Sequence, residues 1–329
     1  TLDTATNNFA NEVRITGAAV TIVDEDAIDL GTSTVSGAYT LTAGGDVTNS
    51  GALAVTGATT VSASGHNVTL NTATNNFQGA VGITGANVSV VDAGAIVLGA
   101  STVSGTYAVT ATSGGSITNT GALAITNGAT FTVANGQSIS LNQSNTFSST
   151  VTFASSGTIG SVTINDSNAF DLKALTTTGD LTVTAGGAFT NSGALVIPGT
   201  ATISASGQDV ILNDSSNDFG TLAITGANVA IIDTNAIILG ASTVSGTYSV
   251  TTDGAITNSG TQEITGVTTL VAGSGNDITL NTSTNNFAAA VVITSGRNVA
   301  ITDEDTIDLG AATVSGTYGI TAGGPVTDS

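Results

Sequence analysis

The chain holds one histidine, His66, in the stretch SASGHNVTL. Any Ser-His-Asp relay would have to pass through it. The corresponding positions in the other repeats hold Gln137, Gln208 and Asn276. These are polar turn residues, so His66 reads as a surface turn residue and not as a base. With one histidine and no cysteine, zinc has no ligand set. The densest carboxylates lie in VDEDAIDLG (Asp24, Glu25, Asp26, Asp29) and TDEDTIDLG (Asp303, Glu304, Asp305, Asp308). Calcium takes about six to eight oxygens, which such words could begin to supply. The middle copies dilute the cluster to VDAGAIVLG and IDTNAIILG. None matches an EF-hand loop or a glycine-rich calcium repeat. The words read as solvated acidic corners, with calcium ligation by Asp24 and Asp303 and their neighbours as the alternative. Paired carboxylates also serve glycosidases, but sugar-cleaving grooves usually add aromatic and basic residues. Here aromatics are 4% of the chain. GSGND, from Gly273, lacks the GK(S/T) of a phosphate loop, and the threonines are too irregular for an ice-binding face. The expectation is no enzyme, no catalytic residue, no metal and no cofactor.

Composition narrows the partners. Three basic residues face 23 acidic ones, for a net charge of −20. Arg14, Lys173 and Arg297 are scattered, and phosphate binding needs clustered cations. Nucleic acid is excluded, and an anionic membrane surface is disfavoured for the same reason. No run of about 18 apolar residues is present, so no membrane insertion is expected. The sequence starts and stops partway through a repeat, which suggests a piece of a longer protein with open ends. Glycine numbers 42, proline 2, and cysteine, methionine and tryptophan are absent. Threonine and valine favour strands, and glycine and asparagine favour turns.

The elements that would position any site are set by repetition. TNNF and its variants place Phe9, Phe77, Phe147, Phe219 and Phe287 at spacings of 68, 70, 72 and 68 residues. TNSG or TNTG begins at Thr48, Thr118, Thr190 and Thr257. A third line, LGASTVSGTY, begins at Leu98 and recurs in variants from Leu30, Leu239 and Leu309. The third unit replaces it with DLKALTTTGDLTV. We divide the chain into units at 1–68, 69–139, 140–210, 211–278 and 279–329. Within each, apolar triplets alternate with turn words every 7 to 9 residues or so, the pattern of short strands joined by tight turns.

These rhythms predict an all-β, right-handed parallel β-helix as one continuous solenoid over 1–329. Three strands per rung and about 22 to 24 residues per rung make each unit three rungs, for about 14 rungs in all. One phenylalanine per unit would fill a wider spot at every third rung. Gly37, Gly105, Gly246 and Gly316 would turn corners with φ > 0, with asparagine the next best residue there.

Units such as NVTLNTATNNFQGAVGITGANVSVVDAGAIVLGASTVSG resemble the repeat regions of filamentous-haemagglutinin-like bacterial exoproteins, often exported by two-partner secretion. The resemblance covers essentially the whole chain and rests on repeat style. It implies a β-helical shaft secreted to a Gram-negative cell surface, serving adhesion or an extracellular fibre. Partners would be adjacent repeats or neighbouring subunits. The competing reading is a module that binds host or surface glycans, with the third unit around Lys173 the first place to look.

Overall fold

The computed structural model describes residues 1–329, which fall into two compact units, Thr1–Ser167 and Asn168–Ser329. Both are built from short strands without any helix, so no helix is long and apolar enough to cross a membrane. Every strand pairing is parallel, which makes each unit a β-solenoid of three strands per coil. In the first unit, Val20–Asp24, Tyr39–Ala43, Thr59–Ser62 and Val81–Gly85 stack residue on residue. Ile28–Leu30 begins a second face of seven strands ending at Val151–Ser155, while Thr16–Gly17, Ser33–Val35, Leu53–Val55 and Asn76–Phe77 form the third. In the second unit, nine strands from Phe170–Leu172 to Val326–Asp328 make the corresponding stack.

Inward positions are valine, isoleucine and leucine that line up with their own kind. Ile22, Leu41, Val61 and Ile83 form one such column, each at most 1% exposed. Strands away from the two ends alternate buried and part-exposed residues, as Val20–Asp24 and Val88–Asp92 do, the period of a pleated strand with one wet face. Burial in these columns is the main driving force, at about 25 cal/mol per Å² of apolar surface.

Two expectations need correction. The two units hold seven and nine layers, more than the 14 or so expected in all, because a coil consumes fewer residues than expected. Val20 to Tyr39 is 19 residues, Tyr39 to Thr59 is 20 and Thr59 to Val81 is 22. A repeat is therefore longer than three coils. Three coil steps from Val20 reach Val81, yet its counterpart in the next repeat is Val88. The surplus is one strand, so equivalent strands move to a new face with every repeat. Val20–Asp24 sits under Tyr39–Ala43, Val88–Asp92 sits between Val68–Leu70 and Tyr107–Ala111, and Val162–Asp166 sits on Ile139–Phe147. The second unit repeats the shift: Val229–Asp233 and Val299–Asp303 belong to different stacks.

The corner glycines are the second correction. Positive φ occurs at Gly65, Gly114, Gly136, Gly207 and Gly273, and at no non-glycine residue. Gly105 and Gly246 keep negative φ and are required by space. A Cβ on either would strike the side-chain oxygen of Asn87 or Asn228, one coil below. Those asparagines do not turn the corner themselves. Their side-chain oxygens accept hydrogen bonds from the amide and hydroxyl of Thr106 and Thr247 at 3.0–3.1 Å, tying coil to coil.

Candidate functional site

The sequence words TNNF and TNSG served only as register marks, yet they meet in space. The first asparagine of the TNNF-type word is fully buried in four of the five copies, Asn75, Asn145, Asn217 and Asn285, while Asn7 in the first is half-buried. Asn75 Oδ1 accepts from the side-chain nitrogen of Asn49, the asparagine of TNSG, at 2.8 Å, and from the Leu53 amide at 3.0 Å. Its Nδ2 donates to the carbonyls of Leu70 at 3.1 Å and Val91 at 3.3 Å. One side chain thus joins three successive coils. The same clamp pairs Asn119 with Asn145, Asn191 with Asn217, and Asn258 with Asn285. A buried amide needs all its partners, because each unmade bond costs about 1–3 kcal/mol.

An aspartate completes the clamp on the coil above. Asp92 is 1% exposed. Its Oδ2 accepts from the Phe77 amide at 2.6 Å, and its Oδ1 accepts from the Gly94 amide at 2.7 Å. Asp24, Asp233 and Asp303 do the same with Phe9 and Asp26, Phe219 and Asn235, and Phe287 and Asp305. Asp166 accepts from the Phe147 amide. Phe77, Phe147, Phe219 and Phe287 therefore fill the lumen with their rings and bind the next coil with their amides, whereas Phe9, in the first copy, is only half-buried. Burial pushes the carboxyls of Asp92, Asp233 and Asp303 up from the ordinary carboxylate range, opposed in part by the amide bonds they accept.

Asp24 and Asp303, the centres of the acidic words, spend their oxygens on backbone amides. Asp26 accepts from the Asn8 side chain, and Asp29 accepts from Thr48 and Ser50. No group of three or more His, Asp or Glu side chains lies close enough to hold a metal ion. His66 occupies an exposed turn in which its amide donates to the Ala63 carbonyl. Gln137, Gln208 and Asn276 make the corresponding turn bond, to Ala134, Ala205 and Gly273. Lys173 donates to Ser192 at 3.0 Å beside Asp171, an exposed pair of little energetic weight. Among the shallow troughs of the first unit, one of about 300 Å³ runs along Asp46, Thr48, Asn67, Thr69, Asn87 and Ser89. Its lining mixes hydroxyl, amide and carboxylate groups with the apolar Val47, Val88 and Ala108, without an aromatic ring.

Sequence reasoning missed the asparagine clamp. The signal was present, since both words keep an asparagine in each copy. The contact joins residues 26 or 27 apart, a distance that only the coil length explains.

No curated protein and no solved structure matches the chain. A family model described as "Repeats of unknown function (DUF5649)" matches residues 17–84, 85–154, 159–225, 226–294 and 296–329. These segments keep the period of the phenylalanines but cut the cycle at a different point. Each full match holds an asparagine clamp, and the chain belongs to this family of repeats.

Proposed function

We propose that this repeat solenoid is the shaft of a secreted bacterial surface adhesin or extracellular fibre, giving reach and stiffness without chemistry of its own. One observation carries the reading: the asparagines and aspartates of the recurring clamp are consumed inside the stack. Asn75, Asn145, Asn217 and Asn285 bind coils to one another, as do Asp92, Asp233 and Asp303. The resemblance to filamentous-haemagglutinin-like exoproteins supports export to the cell surface, and the charge of −20 suits an exposed particle that must not clump. Neighbouring repeats or subunits are its natural partners.

Deletion of 85–154 from the secreted protein tests this. The cut removes three coils and one strand, about 16 Å of stack at the usual strand spacing. Coil-to-coil contacts are additive, so export and surface attachment should persist. Loss of attachment with export intact would sink the shaft reading. If deletion of 17–84 alone abolished attachment, the trough of Asp46, Thr69 and Asn87 would become a glycan-binding site.

A further inference from the structure

The second repeat differs from the others at one surface corner. Val55, Ile197 and Ile264 are each followed two residues on by a glycine, Gly57, Gly199 or Gly266, and then by Ala58, Thr200 or Val267. The second repeat places Asn127 and Gly128 there, after the strand Leu123–Ile125. Asn127 is exposed. Its backbone amide donates to the Gly105 carbonyl at 3.2 Å, as the amides of Gly57 and Gly266 donate to Gly37 and Gly246. Neither its side chain nor the Gly128 amide bonds to any other residue of the chain. A Cβ on Gly128 would meet nothing nearer than 3.8 Å, so the corner is also roomy.

The chain holds one other asparagine–glycine pair, Asn135–Gly136, and it is exposed too. There both groups are tied. Asn135 Oδ1 accepts from the amide of Thr158 at 2.8 Å and from its hydroxyl at 3.1 Å. The Gly136 amide donates to the Thr158 carbonyl at 2.8 Å. An asparagine before glycine is open to an uncatalysed reaction that needs these groups loose. The glycine amide gives its proton to a base in solvent, and its nitrogen attacks the asparagine Cγ. The new N–Cγ bond closes a five-membered imide, and the Cγ–Nδ2 bond breaks to release ammonia. Water then opens the ring at either carbonyl and leaves aspartate or isoaspartate. Nothing is oxidised or reduced. Glycine favours the closure because it has no Cβ to hinder the backbone.

We propose that Asn127 is a site of spontaneous deamidation in the folded solenoid, whereas Asn135 is protected by Thr158. Asn127 has a free side chain, a free nucleophile beside it and space to turn. The product sets a carboxylate on the corner. Isoaspartate also lengthens the backbone there by one methylene, between strands that the coils above and below hold in register.

The test is peptide mapping by mass spectrometry on the whole chain, stored folded in mildly alkaline buffer and sampled over weeks. Electron-transfer fragmentation tells isoaspartate from aspartate. The Asn127 peptide should gain one mass unit about tenfold or more faster than the Asn135 peptide, because three hydrogen bonds must open before Asn135 reacts. In concentrated urea the two rates should converge. Equal rates in the folded chain would overturn the proposal, as would an Asn127 that stays intact when folded but converts in urea. A gap that persists in urea would assign the difference to local sequence and overturn it as well.

Discussion

The second and third repeats fill the same lumen with different residues. In the second, Ser101 and Tyr107 share a coil, a small residue and a large one. In the third, their places are taken by Leu175 and Leu181, two of middle size, both buried to 2% exposure or less. The third repeat also exchanges Ile96 and Ile117 for Phe170 and Phe189, which stack at 5.8 Å with an interplanar angle of 16°. What persists between them is the polar clamp: Asn119 with Asn145, and Asn191 with Asn217. Apolar volume in this lumen is interchangeable so long as the total is kept. Hydrogen-bond geometry is not, because an amide has no apolar substitute that satisfies the groups around it.

The strongest way to break the comparison is to attack the shared clamp. Asn145→Ala strips partners from Asn119, the Leu123 amide and the carbonyls of Leu141 and Asn165. Asn217→Ala does the equivalent to Asn191, Leu195, Leu212 and Ile232. Each should destabilise its repeat by about 3 kcal/mol or more. Urea unfolding with hydrogen exchange as the local probe should show similar losses in both. A loss in only one repeat would contradict the common role.

The next effect sharpens the difference. Tyr107→Leu should leave a cavity and cost about 2 kcal/mol or more. Adding Ser101→Leu transplants the third repeat's solution and should recover most of that loss. Recovery stops short because the Ile83 amide loses the hydroxyl it binds. A double variant no better than Tyr107→Leu in thermal unfolding would show that the two positions do not share volume.

Acidity gives a smaller shift that acts on several repeats together. The folded carboxyls of Asp92, Asp233 and Asp303 are raised by burial. Their neutral forms are thus favoured in the folded state. Stability from these groups is full below the ordinary carboxylate range and is lost as pH rises through the raised values. Lowering pH from 7 towards 5 should therefore raise the urea midpoint, aided by relief of a −20 charge. Asp277 runs the other way, since Arg297 holds its carboxyl well below the usual range, but that pair is exposed and screened. A midpoint that falls over this window would contradict the burial argument. The smallest effect belongs to Lys173→Ser. It removes an exposed ion pair and should leave the thermal midpoint unchanged within measurement.

Much of this architecture could be read from the sequence. Alternating triplets and turn words identify short strands and a parallel coil, and four of the five marker phenylalanines, Phe77, Phe147, Phe219 and Phe287, lie inside as expected, while Phe9 in the first coils does not. Three things were hidden. The division of about 70 residues into three equal rungs looked natural, but turns shorten the coils unevenly, and only strand partners such as Val20 and Tyr39 reveal it. Gly105 looked like a left-handed corner because sequence cannot separate the two reasons for glycine, a special φ and a close neighbour. The aspartates of the acidic words looked solvated because charge is normally outside. Asp24 and Asp303 are inside because backbone amides from two coils receive them.

The extra strand in each repeat has a geometric outcome for anything that meets the solenoid from the side. Within each unit, successive copies of a surface feature point along different compass bearings, like stripes on a barber's pole. An antibody raised against the Ser-Thr-Val line would find it at Ser33 and Ser101 on different flanks. Two molecules lying alongside one another could match one such line and would then be out of step at the next. Repetition in sequence thus builds height without building a flat repeating flank, and so offers no sideways template for stacking copies into sheets.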